Sequence, residues 1–277
     1  MTVTAATASV PQPPWATGAT GTTGTGQTLG GVRSVGSALD VLECFATDAA
    51  LGVTDVARRL GTSKSTAHRL LHTLATRGFV EQDPASGKYR LGMHLYELGH
   101  LARARHRFRH AARPHLETIV AETGLTASFS VPDGADVVSV ERIEVGLGGQ
   151  LLGHVGRRLP LHTTSSGKVV AAFNPAVDQA RRTAGFPPYA ARTIRTEADW
   201  DDALADVRRR GYAVSDSESF TAMTSIALPV MQRRVAVAGI SAFGPVQEVT
   251  ADLDRLHGLL ATAAQDISDR LADAGAP

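Results

Sequence analysis

Two short helical segments joined by a tight turn and followed at once by a hairpin pattern constrain the fold of this chain most strongly. Gly61 ends the first segment, and Ser63 is placed to cap the second almost immediately. Residues 79–83 and 88–91 then have the composition of short strands around a turn that contains Pro and Gly. A helix-turn-helix followed directly by a hairpin predicts a winged helix-turn-helix.

The second of these helical segments has one apolar and one polar face. Four apolar residues recur at the spacing of a buried stripe: Ala67, Leu70, Leu71 and Leu74. The opposite face carries cations and hydroxyls, which are suited to base edges and phosphates in a DNA groove, although a solvated face is the alternative. We predict that double-stranded DNA is contacted by this face, by the wing and by the first helix, through Arg33, Lys64, Ser65, Thr66, His68, Arg69, Lys88 and Arg90.

Charge is distributed unevenly between the two halves of the chain. Residues 32–109 contain 12 Lys and Arg against 7 Asp and Glu, whereas residues 110–277 contain 16 against 20. A basic segment beside an acidic remainder favours contact between one domain and a polyanion. Chance segregation of solvated charges would give the same counts.

Cysteine content and hydropathy indicate in which cellular compartment the protein is expected. The single cysteine, Cys44, cannot form an internal disulfide and lies in an apolar run, so we interpret it as a packing residue. No stretch approaches the roughly 18 consecutive apolar residues of a membrane span, and the first 31 residues lack the pattern of a signal peptide. We therefore expect a cytoplasmic protein without a membrane partner.

Four segments are expected along the chain. Residues 1–31, which are rich in Thr, Gly, Ala and Pro and carry no charge, are predicted to be a disordered tail. Residues 32–92 are assigned to the winged helix-turn-helix, 93–110 to a linker helix whose apolar seam can pair with a second copy, and 111–277 to an effector-binding domain. Helical and strand patterns alternate in this last segment and predict a mixed sheet flanked by helices, an α+β fold.

Two patterns predict buried side chains in the N-terminal half. Leu39, Leu42 and Phe45 recur at helical spacing and are expected on the inner face of the helix that precedes the helix-turn-helix. In the hairpin, Tyr89 and Leu91 are expected to point inward, while the intervening cations face phosphates.

Five ordered pieces of the sequence resemble the IclR-type transcriptional regulators. They are SKSTAHRLL at 63–71, YRLG at 89–92, LHTTSSGK at 161–168, GY at 211–212 and IALPV at 226–230. The resemblance extends from residue 32 to residue 271. It implies a winged helix, a linker helix and a GAF-like effector domain, in dimers or tetramers on palindromic operators, and it leaves repression and activation both open.

The resemblance also implies an effector pocket between the loop before the Gly-Lys helix and the facing strands. Carried over residue by residue, that pocket contains Ser165, Ser166, Asp216, Ser225 and Ser241. Several relatives have a cysteine where Ser225 stands. Ser165 and Ser166 precede a helix whose N-terminal amides favour anions, so an organic acid or related metabolite is the expected effector. A structural cap or turn hydrogen bond is the alternative for each residue.

Two other classes remain as alternatives: a small-molecule-binding enzyme and a ligand-independent DNA-architectural protein. Gly167-Lys168 is similar to the end of a phosphate-binding loop, but His162 stands where the first glycine would be and Val169 replaces the Ser or Thr. No G-x-S-x-G motif is present and the histidines do not cluster at ligand spacing, so no catalytic residue, metal or cofactor is expected. An architectural protein would not need the long C-terminal domain.

Overall fold

The computed structural model describes residues 32–105, 107–145 and 156–273, in two compact units that divide between positions 105 and 106. The predicted tail at 1–31 lies outside the described residues. The N-terminal unit contains α1 (Arg33–Glu43), α2 (Val53–Arg59), α3 (Lys64–Thr76), β1 (Val80–Gln82), β2 (Tyr89–Leu91) and α4 (Met93–Arg105).

The C-terminal unit contains six α-helices, one 3₁₀ helix (Leu161–Thr163) and six strands among its described residues. The helices are α5 (Arg107–Thr123), α6 (Ser165–Ala172), α7 (Pro175–Ala184), α8 (Glu197–Arg210), α9 (Val246–Ala251) and α10 (Leu253–Asp273). The strands are β3 (Thr126–Asp133), β4 (Asp136–Ile143), β5 (Arg158–Pro160), β6 (Ala213–Asp216), β7 (Met223–Gln232) and β8 (Val235–Pro245).

The N-terminal core corrects one prediction about α1. Val41 of α1 and Phe45 of the 3₁₀ turn Cys44–Ala46 that follows are buried in one cluster with Val56 and Leu71. Leu39 is 57% exposed, because at 100° per residue it lies about 200° around the helix from Val41. The spacing of Leu39 and Phe45 was compatible with a helix, but the burial it predicted for Leu39 was wrong.

The wing hairpin forms as predicted, but only one of the two side chains expected to be buried, Tyr89, is buried. β1 and β2 pair antiparallel, with Val80 opposite Leu91. Tyr89 is buried and exchanges both backbone hydrogen bonds with Leu51, at 2.9 Å each. Leu91 is 44% exposed, contrary to the prediction, because the pairing with Leu51 covers the hairpin at Tyr89 and does not reach two residues farther along.

The C-terminal unit is built on one antiparallel sheet with the strand order β5-β4-β3-β8-β7-β6. The α+β class is confirmed, but the expectation of a mixed sheet was wrong. β3 with β4 and β7 with β8 are hairpins, and the helical connections place β5 and β6 at opposite edges instead of side by side. No parallel pair therefore arises among the described strands.

Helices cover both faces of this sheet. On one face, α5 and α10 form a core with the strands through Leu116, Ile119, Phe129, Ile240, Leu260 and Ile267. On the other face, α6 and α8 pack through Val169, Val170, Trp200, Leu204 and Ala227. All eight residues of α6 are buried, so this short helix lies inside the unit and its N-terminal end faces the sheet.

Candidate DNA-binding surface and ligand cavity

Helix α3 presents the polar face that the sequence predicts. Ser63 fixes its start, since its Oγ accepts a hydrogen bond from the Thr66 amide at 3.2 Å. Ala67, Leu71 and Leu74 are buried. Five predicted DNA contacts lie together on the exposed face: Lys64, Ser65, Thr66, His68 and Arg69. Among the described residues, Lys64 and Arg69 have no ion-pair partner.

The other predicted DNA contacts lie on the wing and on α1. Lys88 is exposed beside β2 and has no ion-pair partner within the described parts of the chain. Arg90 is exposed but engaged, because its Nε donates to Glu81 Oε1 at 2.6 Å across the hairpin. Arg33 is exposed at the first position of α1, on a different helix from the α3 group. Of the predicted DNA contacts on α3 and the wing, the cations without an ion-pair partner among the described residues are thus Lys64, Arg69 and Lys88.

A cavity lies between the N-terminal end of α6 and the sheet, and encloses about 680 Å³ of empty space, its open mouth included. Ten of its lining side chains carry a hydroxyl. Three of the predicted effector contacts, Ser166, Ser225 and Ser241, are among them. Apolar side chains share the lining with these hydroxyls, namely Val137, Leu159, Phe220, Met223 and Phe243, and the size and mixed lining fit a metabolite-sized ligand.

The two remaining predicted contacts, Ser165 and Asp216, do not line this cavity. Ser165 is behind its wall, where its hydroxyl donates to Ser225 Oγ at 2.8 Å. The Asp216 carboxylate accepts from Arg192 and from Thr224 Oγ1, the latter at 3.2 Å. Ser165 and Asp216 therefore contact residues of the wall and its surroundings.

Two glycines allow α6 to approach its neighbours closely. A Cβ on Gly167 would lie 2.1 Å from the carbonyl oxygen of Leu161, and a Cβ on Gly239 would lie 3.0 Å from the Cα of Ser166. Thr164 caps the helix, because its Oγ1 accepts from the Gly167 amide at 2.9 Å. The Ser-Ser-Gly segment is thus held between the backbone before it and strand β8.

Lys168 connects α6 to the segment after β6. Its Nζ donates to the Val214 carbonyl at 3.0 Å and to Glu218 Oε1 at 2.6 Å. Burial lowers the pKa of Lys168 and raises the pKa of Glu218, while each charge opposes the other's shift. The amine thus donates to acceptors within the protein and does not form a phosphate site. Its bond to Glu218 holds the segment that brings Ser219 and Phe220 to the cavity.

Arginines in the cavity wall are the residues that sequence reasoning missed. A register shift in β4 leaves Val140 unpaired, so that Ser139 lies opposite Ser130 while Arg142 lies opposite Ser128. In a regular strand, side chains three residues apart point to opposite faces, but this bulge brings Ser139 and Arg142 to the same cavity wall. The available signal was the single cation of β4, a strand that also contains Asp136, Ser139 and Glu141. Arg157 lines the wall as well.

Across residues 32–105, 107–145 and 156–273, no helix combines the length and the apolar composition that a bilayer crossing requires. The same residues contain no cluster of three His, Cys, Asp or Glu side chains able to hold a metal ion. Hydroxyl and guanidinium groups characterise the cavity instead.

Comparison with known proteins matches both parts of the chain. The IclR helix-turn-helix domain matches residues 34–84, and the family described as bacterial transcriptional regulator IclR C-terminal matches residues 100–269. The HTH-type transcriptional regulator XynR of Escherichia coli is 35% identical over 202 residues, which cover 72% of this chain and 80% of the relative. The glycerol operon regulatory protein of Streptomyces griseus is 34% identical over 203 residues, covering 73% and 80%.

Solved structures agree with these sequence relatives. An IclR homolog from Microbacterium hydrocarbonoxydans, complexed with 4-hydroxybenzoate, superposes with a TM-score of 0.75 at 29% identity, over 87% of this chain and 99% of that one. The two matched domains follow each other in the order that the fold presents them. This DNA-binding transcriptional regulator belongs to the IclR family.

Proposed function

We propose that this chain regulates transcription by binding operator DNA through α3 and the wing, and that a small organic acid in the cavity changes that binding. The observation that carries the proposal is the hydroxyl- and arginine-lined cavity at the N-terminal end of α6. The structural relative complexed with 4-hydroxybenzoate supports a small organic acid as the ligand class. A ligand changes DNA binding only through its different affinities for the two states of the protein.

On the DNA side, the exposed first half of α3 enters the major groove. Arg69 contacts a guanine edge or a phosphate, while Lys64, Ser65, Thr66 and His68 hold the backbone or neighbouring base edges. Lys88, Arg90 and Arg33 contact flanking phosphates. Because Arg90 is already paired with Glu81, Lys88 is the stronger phosphate contact of the wing.

On the effector side, Ser166, Ser225 and Ser241 contact the ligand directly. Ser165 orients the hydroxyl of Ser225 through the hydrogen bond between them. Asp216 acts through Thr224, which it binds and which lines the cavity. Both residues thus belong to the support of the ligand site.

We also propose the division into a DNA-binding domain at 32–92, a linker helix at 93–110 and an effector domain at 111–277, working in the cytoplasm without catalysis. Self-association into a dimer or a dimer of dimers uses α1 and α4. Large apolar side chains stay exposed on these helices, namely Val35, Leu39, Met93, Tyr96, Leu98 and Leu101. A second copy would cover this surface and present two α3 helices to a palindromic site.

The test is a pair of matched arginine variants on α3 and at its end. DNA upstream of the chain's own gene is footprinted to find the operator, and its affinity is then measured by fluorescence anisotropy at fixed salt. Arg69→Ala is expected to weaken operator binding by about 1–3 kcal/mol and a scrambled duplex much less. Arg77→Ala, exposed at the C-terminal end of the same helix, should keep the parent affinity. Equal losses in the two variants would contradict the assignment.

A further inference from the structure

Arg142 has a buried donor that the protein itself does not satisfy. Its side chain is only 10% exposed and lines the cavity. Nε donates to Glu144 Oε1 at 2.6 Å, whereas Nη2 is fully buried and has no hydrogen-bond partner among the described residues. A buried guanidinium donor without an acceptor is unfavourable, because burial removes its water and returns no hydrogen bond.

An aromatic ring lies against the guanidinium of each cavity arginine. The Arg142 guanidinium carbon lies 4.5 Å from the centre of the Phe243 ring, and that of Arg157 lies 4.8 Å from the centre of the Phe220 ring. Such stacking holds a guanidinium in one orientation while leaving its in-plane donors available. The Phe243 ring and Glu144 thus hold the Arg142 guanidinium in the cavity wall, with Nη2 as the donor that has no acceptor among the described residues.

The charge around the cavity is unbalanced by one. Arg142 and Arg157 both line it, and none of the described lining residues is acidic. Glu144, which pairs with Arg142, supplies one negative charge from outside the lining. Burial lowers the pKa of Arg142, Glu144 opposes that shift, and the positive charge of Arg157 adds to it. A single added negative charge would balance the group.

Two hydroxyls in the wall are also without protein partners. Within the described parts of the chain, neither Ser130 nor Ser166 makes a side-chain hydrogen bond, although both are buried and both line the cavity. By contrast, Ser128 and Ser241 are bonded to each other at 2.9 Å. Ser130 and Ser166 can therefore bond a hydroxyl of a bound molecule without breaking an existing contact.

We infer that Arg142 anchors the carboxylate of a singly charged hydroxy acid, and that Ser130 and Ser166 contact its hydroxyl groups. This inference rests on the proposed function and deepens it. It assigns the anion to the arginine end of the cavity, where Arg142 Nη2 has no acceptor among the described residues; at the α6 end the Gly167 amide is already bonded to Thr164. Arg157 adds the second positive charge at that end.

Matched pairs of acids and amides test the charge assignment directly. The full chain is titrated by calorimetry at constant ionic strength with glycolate and glycolamide, gluconate and gluconamide, and 4-hydroxybenzoate and 4-hydroxybenzamide. At least one acid is expected to bind at least about tenfold more tightly than its amide. Arg142→Met should weaken the binding of that acid by about 10- to 100-fold and leave the affinity for its amide unchanged. Arg182→Met, whose arginine pairs with Asp178 and Asp201, is the control and should bind like the parent.

Ligand-free unfolding separates an anchor from a structural ion pair. Arg142→Met should unfold near the parent temperature, because removal of an unsatisfied buried donor offsets the loss of the pair with Glu144, whose side chain is 31% exposed. A lower unfolding temperature in both Arg142→Met and Arg142→Lys would make the residue structural and overturn the inference. Amides that bind as well as acids would overturn the charge assignment but leave the cavity as the effector site. If no acid binds, the inference fails, while operator binding and its Arg69 dependence still decide the DNA-binding half of the proposed function.

Discussion

Gly167→Ala should destabilise the C-terminal unit, whereas the same substitution at Gly258 should stabilise it. Both glycines are helical, in α6 and α10, so alanine gains about 1 kcal/mol of helix propensity at each. At Gly258 a Cβ would meet nothing within 4 Å. At Gly167 it would lie 2.1 Å from the Leu161 carbonyl oxygen, about 1.3 Å short of the 3.4 Å at which ordinary contact begins.

The helix cannot move away freely to relieve this clash. Ser166, the preceding residue, already lies against β8 at Gly239, and the Gly167 amide is the capped one. Displacement would cost the cap, about 1 kcal/mol, and repacking would cost about 1–3 kcal/mol more. After the propensity gain is subtracted, the expected net loss is about 1–3 kcal/mol.

The assay is urea unfolding of the full chain with Trp200 as the reporter. Trp200 is fully buried in the core beside α6, and the second tryptophan, Trp15, is replaced by Phe in all variants. The midpoint should fall for Gly167→Ala and rise for Gly258→Ala, at unchanged slope. Equal midpoints for the two variants would refute the reasoning that links α6 to Leu161.

Four further outcomes are expected. Lys88→Ala should reduce the slope of log affinity against log salt concentration for DNA binding by about one, and Arg90→Ala should reduce it by less, as measured in anisotropy titrations. Ser225→Val should weaken binding of the effector acid, measured by calorimetry, while ligand-free operator binding stays intact. Leu39→Glu with Leu101→Glu should shift the chain toward monomer in sedimentation, whereas Val235→Glu, exposed in the other unit, should not. Burial lowers the pKa of His162 to about 4, against about 6.5 when unfolded, so its neutral form stabilises the fold above pH 6.5. The free energy of unfolding therefore falls by about 3 kcal/mol between pH 6.5 and pH 4 because of this histidine. In unfolding experiments over this pH range, His162→Gln should abolish this pH-dependent fall, whereas the control Leu204→Ala should still show it.

The N-terminal unit was largely readable from periodicity. The apolar stripe on α3 and the N-cap at Ser63 depend only on residues close in sequence, so they define the helix and its buried face whatever packs against it. Leu39 was misjudged because Val41, on the other side of α1, takes the inward face, and Leu91 was misjudged because burial also depends on what covers a face. The covering elements, Leu51 above all, come from elsewhere in the chain and leave no mark on the pattern itself.

The cavity was only partly predictable for a different reason. Ser166, Ser225 and Ser241 were found through the resemblance, since their segments carry recognisable pieces. Arg142 was not found, because strict alternation along β4 would have placed it with the wrong neighbours. The extra residue at Val140 reverses the parity, and a bulge of this kind is specified by pairing with β3.

The distribution of lysine gives the molecule a built-in chemical reporter. The chain contains three lysines, Lys64, Lys88 and Lys168. Lys168 is enclosed beside Glu218, while the other two are exposed on α3 and the wing. An amine-directed reagent that leaves the arginines untouched will therefore modify side chains almost only at the face assigned to DNA. Protection of Lys64 and Lys88 by duplex, followed by peptide mass, maps that face without any substitution.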